Sequence, residues 1–245
     1  MIIPTLLSIL SLASQSAGAA AVPAPDVLDQ IACAPSAQPV PPLGSLRVLG
    51  GYIHGRIMFT PGDPVILNAG RVQGLQPGQQ FFVRRHIVDR STRQPKTGAL
   101  YGVHTAGWLT VTDVKDRMST ATVTHACDAI LEGDFLEPFV PPIGTPAAAA
   151  GTPDFAHPAQ IVMADERRQT GYPGLVMVMN RGTESDVRAG QTLTIYRETL
   201  DGNGPVIEVG RGTVLSVAAQ SAIVRIDSSR EAVYVGDLIA IHRST

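Results

Sequence analysis

The sequence predicts an all-β fold of two small tandem β-barrel modules, and three observations carry that expectation. The first is an internal repeat. Residues 60–136 and 170–242 follow one pattern, in which Asn68-Ala-Gly70 answers Asn180-Arg-Gly182. Gly78-Gln79 with Phe81 and Val83 answers Gly190-Gln191 with Leu193 and Ile195. The offset is 112 in both cases, from 70 to 182 and from 78 to 190. Later it becomes 103, from Gly133-Asp134 to Gly236-Asp237, so a middle connection is nine residues shorter in the second copy. A repeat of this kind must be explained once for both units. The second observation is period-two alternation of apolar residues: Leu109 and Val111, Ala121 and Val123, then Ala222, Val224 and Ile226. Alternation places one apolar face on each strand. The third is punctuation by Gly, Asn and Asp between these runs, the residues that tolerate turn conformations.

Taken in order, Ile2 to Ala13 is mostly apolar and Ser16-Ala-Gly-Ala-Ala20 offers small residues for cleavage, so residues 1–20 read as a secretory signal. No Lys or Arg precedes the apolar stretch. Residues 21–45 form a leader rich in Pro and Ala, extended or wrapped on the surface, with a short helical stretch around Asp26–Ile31. Leu46 to Phe59 opens the first module, 46–140, with an entry strand. Strands follow at Val65–Leu67, Phe81–Val83, Trp108–Val111 and Thr120–Val123, and Gly133-Asp134 turns into a closing strand. Residues 141–158 are the Pro/Ala-rich linker, where proline disfavours regular ladders. The second module, 159–245, repeats the strands at Val176–Met179, Leu193–Tyr196, Gly212–Val217 and Ala222–Ile226. Gly202-Asn-Gly204 reads as a hairpin turn. Five or six short strands per unit fit a closed barrel, which removes exposed edges.

Composition narrows the function classes. In 245 residues the net charge is −2, which argues against a general polyanion or nucleic-acid binder. After the signal, no stretch approaches the roughly 20 apolar residues of a membrane span. Two cysteines, Cys33 and Cys127, in an exported chain suggest a disulfide tying the leader to the first module. Cys33 lacks the context of a lipid anchor, because Gln30-Ile31-Ala32 precedes it.

The segments GDPVILNAGRVQGLQPGQQFFVRR and GWLTVTDVKDRMSTATVTHACDAILEGDFLEPF resemble a repeat module of bacterial envelope proteins. They are similar to the C-terminal region that follows LysM domains in such proteins. They are also similar to the C-terminal domain of flagellar assembly protein T, a small SH3-like β-barrel. The resemblance covers about 60–140 and 160–242. It implies SH3-like modules and a role in the periplasm or outer envelope. The chain has no LysM segment of its own.

Few residues suggest chemistry. His125 and Cys127 lie two apart on a strand and can share a face, as a nucleophile and base would. The second copy has Ser228 and Arg230 there, so the module does not need them. His54, His86, His104, His125, His157 and His242 are scattered without metal-binding spacing, so no metal or other cofactor is expected. No catalytic residue is assigned. Arg84, Arg85, Arg90, Arg93 and Lys96 form the one extended basic cluster, where the first copy is longer. Extra length on a rigid frame is a common place for a binding surface. The cluster reads either as a solvated hairpin or as a contact for an envelope protein or an anionic envelope polymer. The expected function is therefore an exported, non-enzymatic binding or assembly module of the envelope. The alternative is a protein that binds or modifies peptidoglycan or envelope polysaccharide.

Overall fold

Apolar alternation along the strands sets the fold. Leu109, Val111, Ala121, Val123, Val214, Ala222, Val224 and Ile226 are all buried, as a period of two requires when one sheet face packs inward. The computed structural model describes residues 27–38, 45–87, 101–143, 151–164, 168–199 and 204–243. Over these residues the chain is all-β with one short helix.

The first copy contains β2 (Val48–Gly51), β3 (Met58–Phe59), β4 (Pro64–Leu67), β5 (Gln80–Ile87), β6 (Tyr101–Val114), β7 (Ser119–Ala126), β8 (Ile130–Leu131) and β9 (Phe135–Pro138). Its sheet runs β2-β4-β7-β6-β5-β9, and β3 pairs with β8. The second copy contains β10 (Thr152–Ala164), β11 (Thr170–Gly171), β12 (Val176–Met179), β13 (Thr192–Glu198), β14 (Val206–Val217), β15 (Ala222–Ser229), β16 (Val233–Tyr234) and β17 (Leu238–Arg243). Its order is β10-β12-β15-β14-β13-β17, and β11 pairs with β16. The two orders correspond strand for strand. In the second copy β17 pairs back on β10, which closes the circuit. In the first, the same seam is held more narrowly by an Arg47–Phe135 bridge and by the Leu136 N–H donating to the Leu46 carbonyl. Each copy has its own apolar cluster, one around Val65, Leu109 and Ile130, the other around Met177, Ile195 and Ile239.

Irregularities repeat as well. The ladder shifts register between Val83 and Arg84 and again between Ile195 and Tyr196, the same step of 112. Such bulges bend a strand and add twist, which a small sheet needs in order to curl. The long connection between β5 and β6, where the copies differ in length, falls at 88–100, outside the described residues. Gly202 in the expected hairpin lies outside them too.

Two expectations change. The linker was expected to be irregular through residue 158, but β10 begins at Thr152. Thr152, Pro153 and Asp154 pair with Arg243, His242 and Ile241. Proline is tolerated here because the paired stretch ends at Thr152, where a missing donor costs little. The leader is also more ordered than surface wrapping implies. It forms α1 (Val27–Cys33) and β1 (Ser36–Gln38), and β1 pairs with β6 at Tyr101–Val103. Ala32, Ala34 and Ala37 are buried, so their small side chains allow close approach. The Ala37 carbonyl accepts a hydrogen bond from Ser221 Oγ in the second copy, at 3.1 Å. The leader thus lies against both copies.

Candidate functional site

Three groups of side chains stand out, and the first, which is polar, is common to both copies. In the first, Arg85 makes a forked contact with Asp134: Nε to Oδ1 at 2.7 Å and an Nη to Oδ2 at 2.8 Å. Arg197 and Asp237 repeat it in the second, at 2.7 and 2.8 Å. Each arginine also donates to a backbone carbonyl, Ala129 or Ala232. Each aspartate also accepts a backbone N–H, from Leu131 or Tyr234. Both aspartate side chains are 3% exposed, so the planar guanidinium fork is what permits a buried carboxylate at that turn. The hydrogen bonds that Arg197 donates to Asp237, reinforced by the charges of Asp237 and Glu231, hold the Arg197 pKa above its ordinary value. In the sequence, Gly133-Asp134 and Gly236-Asp237 read as turns alone, and Arg85 reads as part of a cluster that is either a solvated hairpin or a partner contact. The arginines keep the offset of 112 and the aspartates that of 103, which is the signal that could have paired them.

Arg84 is also engaged within the molecule. Its Nε lies 3.2 Å from Glu137, an Nη donates to Thr105 Oγ1 at 2.8 Å, and its guanidinium covers the Phe82 ring at 4.5 Å. Burial lowers its pKa, and Glu137 opposes that shift. Arg84 and Arg85 therefore brace β5 against β6, β9 and the turn before β9, and do not form one open basic face. The reason is strand position: both precede the connection rather than lying in it. Arg90, Arg93 and Lys96 lie outside the described residues.

The second group surrounds the cysteines. Cys33, the last residue of α1, is bridged to Cys127, just beyond β7, with Cα atoms 5.5 Å apart. The expected pairing is thus present. His125 Nε2 lies 3.9 Å from Cys33 Sγ. The His125 ring stacks on Trp108 with centroids 4.1 Å apart and planes 8° apart. The spacing of His125 and Cys127 announces a shared face and the expected bridge brings Cys33 to it, whereas the stack of His125 on Trp108 cannot be read from local spacing.

The third group is apolar. From β2 through the segment that follows it to β3, Leu49, Tyr52, Ile53, Ile57 and Met58 are exposed. A shallow cavity of about 500 Å³ opens at the far end of β4, lined by Leu46, Asn68, Gln73, Leu75, Gln79 and Phe81 among others. Its lining residues carry no titratable side chain. Asn68 is structural here, since its Oδ1 accepts the Arg47 N–H at 2.7 Å; Asn180 does the same for Gln160 at 2.8 Å. No protein-family model and no curated protein matches the chain.

Proposed function

We propose that the chain is an exported, non-enzymatic protein of the cell envelope. Its two repeats act as small SH3-like barrel modules, and it works as a binding or assembly component in the periplasm or outer envelope. One observation carries the reading: the polar residues that the copies share are spent on the frame. Arg85–Asp134, Arg197–Asp237, Asn68 and Asn180 all satisfy backbone or each other. A shared catalytic apparatus would leave such groups aimed into a cleft. In the first copy the groups available for recognition are the exposed apolar side chains Tyr52, Ile53, Ile57 and Met58, together with the basic sequence carrying Arg90, Arg93 and Lys96. A basic segment on a chain of net charge −2 favours an acidic protein or an anionic envelope polymer.

The test compares two assays on the full mature chain. One is crosslinked capture from envelope extract with identification of the partner; the other is co-sedimentation with purified peptidoglycan. A stoichiometric protein partner and no sedimentation supports the assembly role. Salt-insensitive sedimentation with peptidoglycan, or release of soluble glycan fragments, would move the protein to the polysaccharide-binding or polysaccharide-modifying alternative.

A further inference from the structure

Cys33, His125 and Cys127 offer their ligand atoms within 4.8 Å of one another, and all three residues are half-buried. Two sulfurs and one imidazole nitrogen form a common donor set for zinc, with a fourth position left for water. In the oxidised chain the sulfurs are bonded to each other and cannot serve as thiolates. We propose that reduction of this disulfide converts the staple into a Cys2His site that takes a divalent zinc ion.

The geometry needs little rearrangement. Zn–S bonds of about 2.3 Å in a tetrahedron set the sulfurs roughly 3.8 Å apart. Opening a disulfide to that separation moves each sulfur by about 1 Å, within the reach of side-chain rotation. His125 Nε2 already faces Cys33 Sγ at 3.9 Å. The flat stack on Trp108 fixes the imidazole plane, so the ring is held before any metal arrives. Pre-orientation of a ligand ring is ordinarily the work of neighbouring residues around a metal.

The repeat supplies an independent argument. Every member of this group is specific to the first copy. Ser228 stands at the place of His125, Arg230 at that of Cys127 and Arg211 at that of Trp108. The second copy closes its circuit without any of them, so the frame does not require them. A disulfide alone would hold the leader equally well with any residue at 125.

The redox step balances with a dithiol as the reductant. Its two thiols become a disulfide while two electrons and two protons pass to Cys33 and Cys127, which become thiols. Zinc binding then releases both thiol protons to solvent, and neutral His125 coordinates through Nε2. Metal occupancy is therefore confined to the reduced chain and is independent of the envelope function proposed above.

The experiment uses the full mature chain, reduced with a phosphine, which is oxidised to its oxide and does not compete as a thiol ligand. Anaerobic titration with Co2+ alone should give one equivalent of thiolate-to-cobalt charge transfer, which Zn2+ displaces. The oxidised chain should give none. Trp108 is the single tryptophan, so its fluorescence should change over the same titration. His125→Ala should weaken Co2+ binding by about tenfold or more, since even loss of a supporting residue costs about 10- to 100-fold. Free-thiol counts on the unreduced variant verify that the disulfide, and hence the local fold, still forms. Absence of charge transfer in the reduced wild type overturns the proposal. So does unchanged affinity in His125→Ala with its disulfide intact.

Discussion

Gly70 and Gly182 repeat for want of space, not for a left-handed dihedral. Their φ values are −144° and −138°, ordinary extended backbone. A Cβ at Gly70 would sit 2.2 Å from the Lys115 carbonyl oxygen, and at Gly182 it would sit 2.1 Å from that of Ala218. The sequence suggested turn conformation for all the paired turn residues. That holds at Gly74 (φ 83°) and at its counterpart Asp186 (φ 56°), where Gly and Asp both tolerate the left-handed region. Close backbone approach is invisible in a sequence, because the backbone facing each glycine, at Lys115 and Ala218, lies more than 35 residues away. Gly182→Ala should therefore destabilise by about 1–3 kcal/mol through overpacking, whereas Asp186→Gly should stay within about 1 kcal/mol. Denaturant midpoints decide this, and equal midpoints for the two variants would contradict it. His242 gives a second residue-level expectation. Burial, then the charge of Arg211, lower its pKa from 6.5, with Glu208 opposing, while its ring nitrogens lie 2.9 and 2.8 Å from Thr192 and Thr194 hydroxyls. A base with a depressed folded pKa favours the fold while neutral. Its contribution is complete above about pH 6.5 and is lost as pH falls through the folded value. The thermal midpoint of wild type should approach that of His242→Gln as pH falls from about 7.5 to about 5; parallel curves would refute the linkage.

At the level of elements, the strands themselves were legible because alternation and turn residues mark them directly. Val176–Met179 in the sequence is β12 to the residue. What escaped were ties between elements. The Arg–Asp forks join β5 to the turn before β9, and β13 to the turn before β17, across roughly 40 to 50 residues. Only comparison of the two copies' offsets makes them readable. Asp237→Ala would leave Arg197 without its fork and the Tyr234 N–H without its acceptor. Breaking a fully buried pair costs about 3–5 kcal/mol, and the one-third exposure of Arg197 places this loss toward about 2–3 kcal/mol. Chemical denaturation measures it, and a loss under about 1 kcal/mol would make the fork incidental. The connection between β5 and β6 carries a different expectation. If the segment is a partner contact or a solvated loop, Arg90→Ala with Arg93→Ala should leave the thermal midpoint nearly unchanged, since exposed substitutions usually alter stability by about 0.5 kcal/mol or less. Partner capture should weaken in the variant, and in wild type as salt rises, because screening acts over about 8–10 Å. Equal capture by both proteins at low and high salt would show that the connection is a solvated loop.

In the whole molecule, the leader is the part that composition described least well. Its prolines and alanines suggested a surface wrap. Instead, the same small residues let it enter between β6 and the second copy, and alanine's lack of bulk is a packing property that periodicity does not report. The Cys33–Cys127 bridge holds this segment covalently at the first copy, while Ser221 Oγ in the second donates a hydrogen bond to its Ala37 carbonyl. The two apolar clusters are separate. Reduction should therefore act unequally. Restoring freedom to a loop of this length costs at most about 4–5 kcal/mol in the chain-entropy model, and that loss should fall on the first copy. Hydrogen exchange on unreduced and reduced protein resolves the two copies separately. Amides of β6 and β7 should lose protection on reduction, while those of β12 and β15 should keep theirs. The same unreduced sample should show no titratable thiol when unfolded. Two free thiols in protein purified without reductant would refute the bridge itself, and an equal loss of protection in both copies would show that the leader couples them into one cooperative unit.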